Sequence, residues 1–273
     1  MTHFYSHLHS RFQSRTAAAL CGLAVSLGLG AIGLGSVGAL EAQAESPANA
    51  PAELTAALSQ MQAAATAGDI DAVMKNYSPA FTNEDGFTYE SLQTALRTLW
   101  ESYDSLTYRV ELQSWEPTSN GYVAETVTYI DGLQTVEGRP SKLESVIRSQ
   151  QTYEGGKIVA QQTLSERNQL TSGNMPPTVS VILPEQVAAG ESYDFDAIVM
   201  EPLGNRYLLG AAVEEGATAN DFFTGRPIEL ELLSAGGLFK VGEAPASKDN
   251  RWVSALLVRD DGMTVVTRRL RVE

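Results

Sequence analysis

Residues 88–129 read TYESLQTALRTLWESYDSLTYRVELQSWEPTSNGYVAETVTY, and within them the hydrophobic period changes from that of a helix to that of a strand. Leu92, Leu96, Leu99 and Tyr103 are spaced i, i+4, i+7 and i+11, with Trp100 beside them. That spacing predicts a helix over Thr88–Tyr103 with one apolar face, opened by Thr88 as its cap. From Tyr108 to Gln113 every second residue is apolar, the pattern of a strand with one buried face, and a second strand is expected over Tyr122–Ile130. A helix running directly into antiparallel strands has to pack on them, because neither element can bury its apolar face alone.

Upstream, Leu54, Leu58, Met61 and Ala65 form the stripe of a helix that starts after Pro51 and ends at Gly68. Asp69 caps a short second helix carrying Ile70, Val73, Met74 and Tyr77 inward. Asn83-Glu84-Asp85-Gly86 is a turn signal between Phe81 and Phe87 and suggests a small hairpin. Downstream, Asp131-Gly132 reads as a turn or bulge, and strands at Lys142–Tyr153 and Lys157–Glu166 flank the tight turn Glu154-Gly155-Gly156.

The first 44 residues have the form of an export leader. Arg11 and Arg15 precede the apolar, glycine-rich run Ala17–Leu40, and Ala42-Gln43-Ala44 has the small-x-small form of a cleavage site. The apolar run could alternatively stay uncleaved as a membrane anchor. All three histidines (His3, His7, His9) and the single cysteine, Cys21, lie in this leader. Residues 45–273 therefore offer no Ser-His-Asp or Cys-His nucleophile, no disulfide, and no His- or Cys-ligated metal. No cofactor or metal is expected. The net charge of −14 disfavours nucleic acid and anionic membrane surfaces as partners.

Gly68–Phe81 (GDIDAVMKNYSPAF) resembles the second-helix signature of the nuclear-transport-factor-2-like superfamily, also called ketosteroid-isomerase-like or SnoaL-like. Tyr153–Val159 (YEGGKIV) is similar to the last hairpin of its members. The resemblance spans about residues 52–168 and implies an α+β cone, helices packed on a curved antiparallel sheet, with a pocket at the open end. After a break at Asn168–Pro177, seven short strand patterns with Gly and Pro turns suggest an all-β immunoglobulin-like sandwich. The expected plan is thus leader 1–44, flexible tether 45–52, cone domain 53–168, linker 169–177 and sandwich 178–273. The whole chain resembles exported two-domain members of the superfamily from cyanobacteria, which implies the periplasm or the thylakoid lumen.

Tyr77, Trp100, Tyr103, Tyr108 and Tyr129 could furnish an aromatic pocket, with Glu125 as the best candidate for a carboxylate inside it. Glu125 shares a strand face with Val123, Val127 and Tyr129; on the opposite reading that face is convex, and Glu125 pairs with an arginine such as Arg148. Arg268, Arg269 and Arg271 are expected to decorate an edge strand, and Asp194 and Asp196 to alternate on one solvated strand face. The expected function is non-enzymatic binding, of a small apolar ligand in the cone or of an exported protein partner. The alternatives are a cofactor-free isomerase or dehydratase using carboxylate and Tyr proton transfer, and a structural spacer with a filled core.

Overall fold

The computed structural model describes residues 45–136, 138–224 and 227–273, so the expected leader, and with it the cleavage or anchoring at 1–44, lies outside the described residues. The helices are α1 (Ala52–Ala67), α2 (Ile70–Met74), α3 (Tyr89–Ser102) and α4 (Ala219–Phe223). Strand β1 is Tyr77–Asn83, followed by the long strands β2 (Ser105–Pro117), β3 (Gly121–Val136), β4 (Arg139–Glu154) and β5 (Lys157–Gly173). Then come β6 (Val179–Ile182), β7 (Gln186–Val187), β8 (Ser192–Val199), β9 (Leu209–Gly216), β10 (Glu231–Leu232), β11 (Gly237–Glu243), β12 (Asp249–Val258) and β13 (Gly262–Val272).

The helical elements form where the local chemistry asks for them. Leu54, Leu58, Met61 and Ala65 are the buried face of α1, and Gly68 closes it in the left-handed conformation at φ 68°. Asp69 caps α2 by accepting from the Ala72 amide at 2.9 Å. Thr88 and Ser91 form a reciprocal capping box at the start of α3. Leu92, Leu96 and Leu99 of that helix are buried in one core with Leu143 and Ile147 of the sheet.

An α+β cone followed by an immunoglobulin-like sandwich is not what the chain forms. Strand accounts for 54% of the described residues and helix for 19%, in only four short helices. Ten of the thirteen strands belong to a single sheet, in the order β10-β9-β12-β13-β5-β4-β3-β2, with β1 pairing β5 and β7 pairing β13. The cause is β5, which does not stop at Glu166 but continues as strand to Gly173. One edge of β5 pairs with β4 along its length. The other edge takes β1 beside Ile158–Gln161 and then β13 beside Arg167–Gly173. Residues 169–173 of the expected linker are therefore strand, and the chain turns away only at Gly173.

Three further expectations are corrected by the same continuity. Asp131-Gly132 does not turn; β3 runs through to Val136, and Gly132 is needed because a Cβ there would lie 2.8 Å from Leu106 Cδ2. Residues 83–86 do not close a hairpin, since β1 pairs in parallel with β5. The stretch expected as a tether is fixed at Glu45, whose backbone exchanges hydrogen bonds of 2.8 and 3.3 Å with Trp115.

Two cores lie against the large sheet. The first gathers the helices over β2–β5 and also takes in Ala217 and Trp252 from the C-terminal half. The second lies between the large sheet and a three-stranded sheet, β11-β8-β6, where Phe195, Ala197 and Leu238 meet Ala255, Leu257 and Val266. Because β5 needs β13 on its second edge, a chain ending at Gly173 exposes unpaired strand and loses Trp252 from the first core. Residues 45–173 alone are expected to give no cooperative thermal transition by near-ultraviolet circular dichroism, whereas the full chain melts cooperatively.

Candidate functional site

The face of the large sheet beneath the helices is unusually polar. On β4 the inward positions alternate Ser141, Leu143, Ser145, Ile147, Ser149, Gln151 and Tyr153, all buried. Thr126 and Thr128 on β3, and Gln161, Thr163, Glu166 and Asn168 on β5, share that face and are also buried. Strand β5 keeps these residues inward by two irregularities, one beside Thr152/Tyr153 and one beside Arg148/Ser149. Each extra residue flips the alternation that follows it, so Ile158, then Gln161 and Thr163, then Glu166 and Asn168 all turn to the same side.

At the middle of this face lies a buried charge centre. Arg269 of β13, with its side chain 1% exposed, places Nη2 2.5 Å from Asp85 Oδ1 and Nη1 3.8 Å from Glu166 Oε2. Asp85 descends from the turn before α3 and also accepts from Asn250 Nδ2 at 3.1 Å. Glu166 accepts from Trp252 Nε1 at 2.9 Å and from Asn168 Nδ2 at 2.8 Å. Ser145 Oγ in turn donates to Asn168 Oδ1 at 2.5 Å. One guanidinium thus faces two carboxylates in a buried setting, where loss of hydration favours the protonated form of a carboxyl group. Burial pushes Glu166 up to about 7, against the opposing pull of Arg269, Trp252 and Asn168. Burial likewise raises Asp85, against Arg269 and Asn250.

The adjoining part of the face holds amides and hydroxyls. Thr126 and Ser149 hydroxyls are 3.3 Å apart, and Tyr77 donates to Gln161 Oε1 at 3.4 Å. Tyr153 donates to Gln151 Oε1 at 3.0 Å. Gln161 Nε2 is buried without a hydrogen-bond partner. A buried donor left in this state costs on the order of 1–3 kcal/mol.

The residues expected to form a pocket divide between the two faces of the sheet. Tyr77 and Tyr108 are buried on the inner face, Trp100 Nε1 donates to Tyr108 Oη at 2.8 Å, and half-buried Tyr103 is pushed up to about 12 by burial. Glu125 and Tyr129 lie on the outer face, away from the helices. Glu125 Oε1 accepts from Arg148 Nε at 2.6 Å, which holds the guanidinium above its usual range. Tyr129 donates to Glu111 at 3.3 Å, and Arg109 stacks 3.7 Å over its ring. Of the two readings of Glu125, the pairing with Arg148 is therefore the one realised, and Glu125 does not join the buried aromatic residues.

Of the arginines expected on an edge, Arg269 is buried and Arg268 and Arg271 are half-buried. Strand β13 is paired by β12 on one side and β5 on the other, so Arg269 is central. Arg268 is pulled down to about 10 by burial and by neighbouring Arg167, and its Nη1 donates to the Asn168 carbonyl at 3.1 Å. A separate cleft of about 660 Å³ is lined by Met175, Leu203, Arg206 and Arg259 among others. Asp261 pairs there with Arg206 at 2.5 Å and with Arg259 at 3.2 Å, so its charges are largely matched internally. No group of three or more His, Cys, Asp or Glu residues suited to a metal occurs among the described residues. None of the described helices is long and apolar enough to cross a membrane.

Residues 174–273 match a family described as a domain of unknown function, DUF8623, less than half of the chain. A solved protein of Bdellovibrio bacteriovorus, Bd1075, aligns at 16% identity over 41% of this chain and 40% of its own, with a TM-score of 0.30. This chain thus spans about two fifths of that protein's length, and a likeness so slight bears on neither fold nor activity. No curated protein matches the chain.

The charge centre has a signature in solution. Glu166 binds its proton more tightly in the folded protein, from 4.5 up to about 7, so stability falls as pH rises through that window and is flat above it. The apparent melting temperature is expected to rise as the buffer is taken from about pH 7.5 to about pH 5. Glu166→Gln, which mimics the protonated acid, should flatten much of that dependence and melt no lower than the parent at neutral pH.

Proposed function

We propose that the protein is an exported, non-catalytic binding protein that takes a small uncharged molecule, rich in hydroxyl or amide groups, against the polar inner face of β3–β5. The observation that carries this reading is the buried Gln161 amide, whose Nε2 donor has no hydrogen-bond partner on a face otherwise lined with hydroxyls and amides. Interiors rarely leave such groups unpaired, and a ligand bearing matching acceptors removes the penalty. The polarity of the face favours a hydrogen-bonding ligand over the apolar one expected from the aromatic residues. Two observations support binding over proton transfer. Each buried carboxylate is anchored by donors, Asp85 by Arg269 and Asn250, Glu166 by Trp252 and Asn168. Glu125 is engaged with Arg148 on the outer face.

Native mass spectrometry of protein purified from its own compartment should show a small neutral molecule bound one to one. Gln161→Leu keeps the volume and removes the donor, and it is expected to weaken retention of that molecule about tenfold, the worth of one buried hydrogen bond. A parent protein free of ligand, together with a Gln161→Leu variant that melts higher, would instead identify a filled core.

A further inference from the structure

Two strand edges of the molecule are finished in different ways. The outer edge of β2 is covered by α1: the Tyr108 amide donates to Thr66 Oγ1 at 3.0 Å, and the Val110 amide to Gln62 Oε1 at 2.8 Å. Glu45 covers the far end of the same edge at Trp115. Strand β11 is the end strand of the three-stranded sheet, and among the described residues no strand pairs with its outer edge. It is seven residues long and contains no proline. Such an edge presents a row of backbone donors and acceptors to any extended segment that reaches it.

The side chains next to that edge define what would fit. On the face turned away from the second core, Phe239 stands opposite Asp196 of β8, and Val241 opposite Asp194. Ile182 of β6 stands on the other side of Asp196, so one row across the sheet reads Ile182, Asp196, Phe239. Phe239 is 54% exposed and Val241 76%. Asp194 and Asp196 form no ion pair among the described residues.

We infer that β11 is a docking edge for a basic extended segment of another protein, which adds as a fourth strand with Lys or Arg at every second position. A strand added beside β11 lies two inter-strand spacings, about 10 Å, from β8. Lys or Arg stems of the added strand then cross Phe239 and Val241, and their charged heads reach Asp196 and Asp194. The ring of Phe239 favours a cation laid over it. Net charge −14 attracts a basic segment at long range and opposes a second copy of this chain at the same edge. The inner face of β3–β5 takes no part, so this inference stands apart from the proposed small-molecule site.

The probe is a capped peptide of about eight residues alternating Arg and Thr, with a Glu-Thr peptide as control, titrated into the full-length protein by calorimetry. Saturable binding of the Arg peptide alone is expected, with hydrogen-exchange protection centred on residues 237–243. The pair of surface substitutions Asp194→Asn and Asp196→Asn, which leaves the second core untouched, should weaken it about tenfold, as should raised salt. Phe239→Ser should weaken it as well without altering the melt. Equal binding of the Glu peptide, protection elsewhere, an unchanged affinity in the double variant, or no binding at all would overturn the proposal. Protection of residues 237–243 without peptide, accompanied by a dimer, would also overturn it and assign the edge to a second copy.

Discussion

A single buried guanidinium set between two carboxylates holds this molecule in register. Arg269 comes from β13, Asp85 from the turn ahead of α3, and Glu166 from β5, so the three charges tie together parts of the chain 184 residues apart. Burying three ionisable groups is costly, and removing one partner strands the others in a dry interior. The surrounding donors show how the cost is offset. Trp252, Asn168 and Asn250 each give a hydrogen bond to one of the two carboxylates, and Ser145 fixes Asn168 in turn. Around this centre the two halves share one sheet, and the contacts above it follow the same plan. Phe87 and Phe222 meet edge to face at 5.9 Å, and the Ala219 amide donates to the Asp85 carbonyl at 2.7 Å.

Local elements were legible in the sequence because their signals are local. The stripe of α1, the caps at Asp69 and Thr88 and the Gly155-Gly156 turn need only neighbouring residues to be recognised. Fusion of the two halves was not legible, since it depends on which strand takes the free edge of β5, a contact between residues about a hundred positions apart. The polar face was hidden for a different reason. On β4 both faces carry polar side chains, so Ser145, Ser149 and Gln151 stand out no more than Glu144, Arg148 and Gln150. On β5 the two bulges break the alternation that would have placed Glu166 inside with Gln161. The run Arg268-Arg269-Leu270-Arg271 reads as a solvated edge because burial of Arg269 requires Asp85 and Glu166, neither of which is near it in sequence.

The candidate site was legible in part. Tyr77 and Tyr108 lie in the first core, with Trp100 and Tyr103 packed against it. Glu125 and Tyr129 fall on the other side, because Ala124, Thr126, Thr128 and Ile130 are the residues of β3 that face inward. The inward residues Thr126 and Thr128 are polar, whereas a hydropathy pattern alone favours the face bearing Val123 and Val127. The molecule thus carries two distinct polar features, a buried polar face on β3–β5 and an exposed strand edge at β11 beside Asp194 and Asp196.

The central claim, that Arg269 and Asp85 bind the halves of the chain into one cooperative unit, is tested most directly by a double-mutant cycle. Unfolding free energies would be measured for the parent, Asp85→Asn, Arg269→Met and the pair at neutral pH. A coupling of about 2–3 kcal/mol is expected for a desolvated, hydrogen-bonded pair of this kind. Additivity within about 0.5 kcal/mol would show that the two side chains do not sense each other, and would contradict the account.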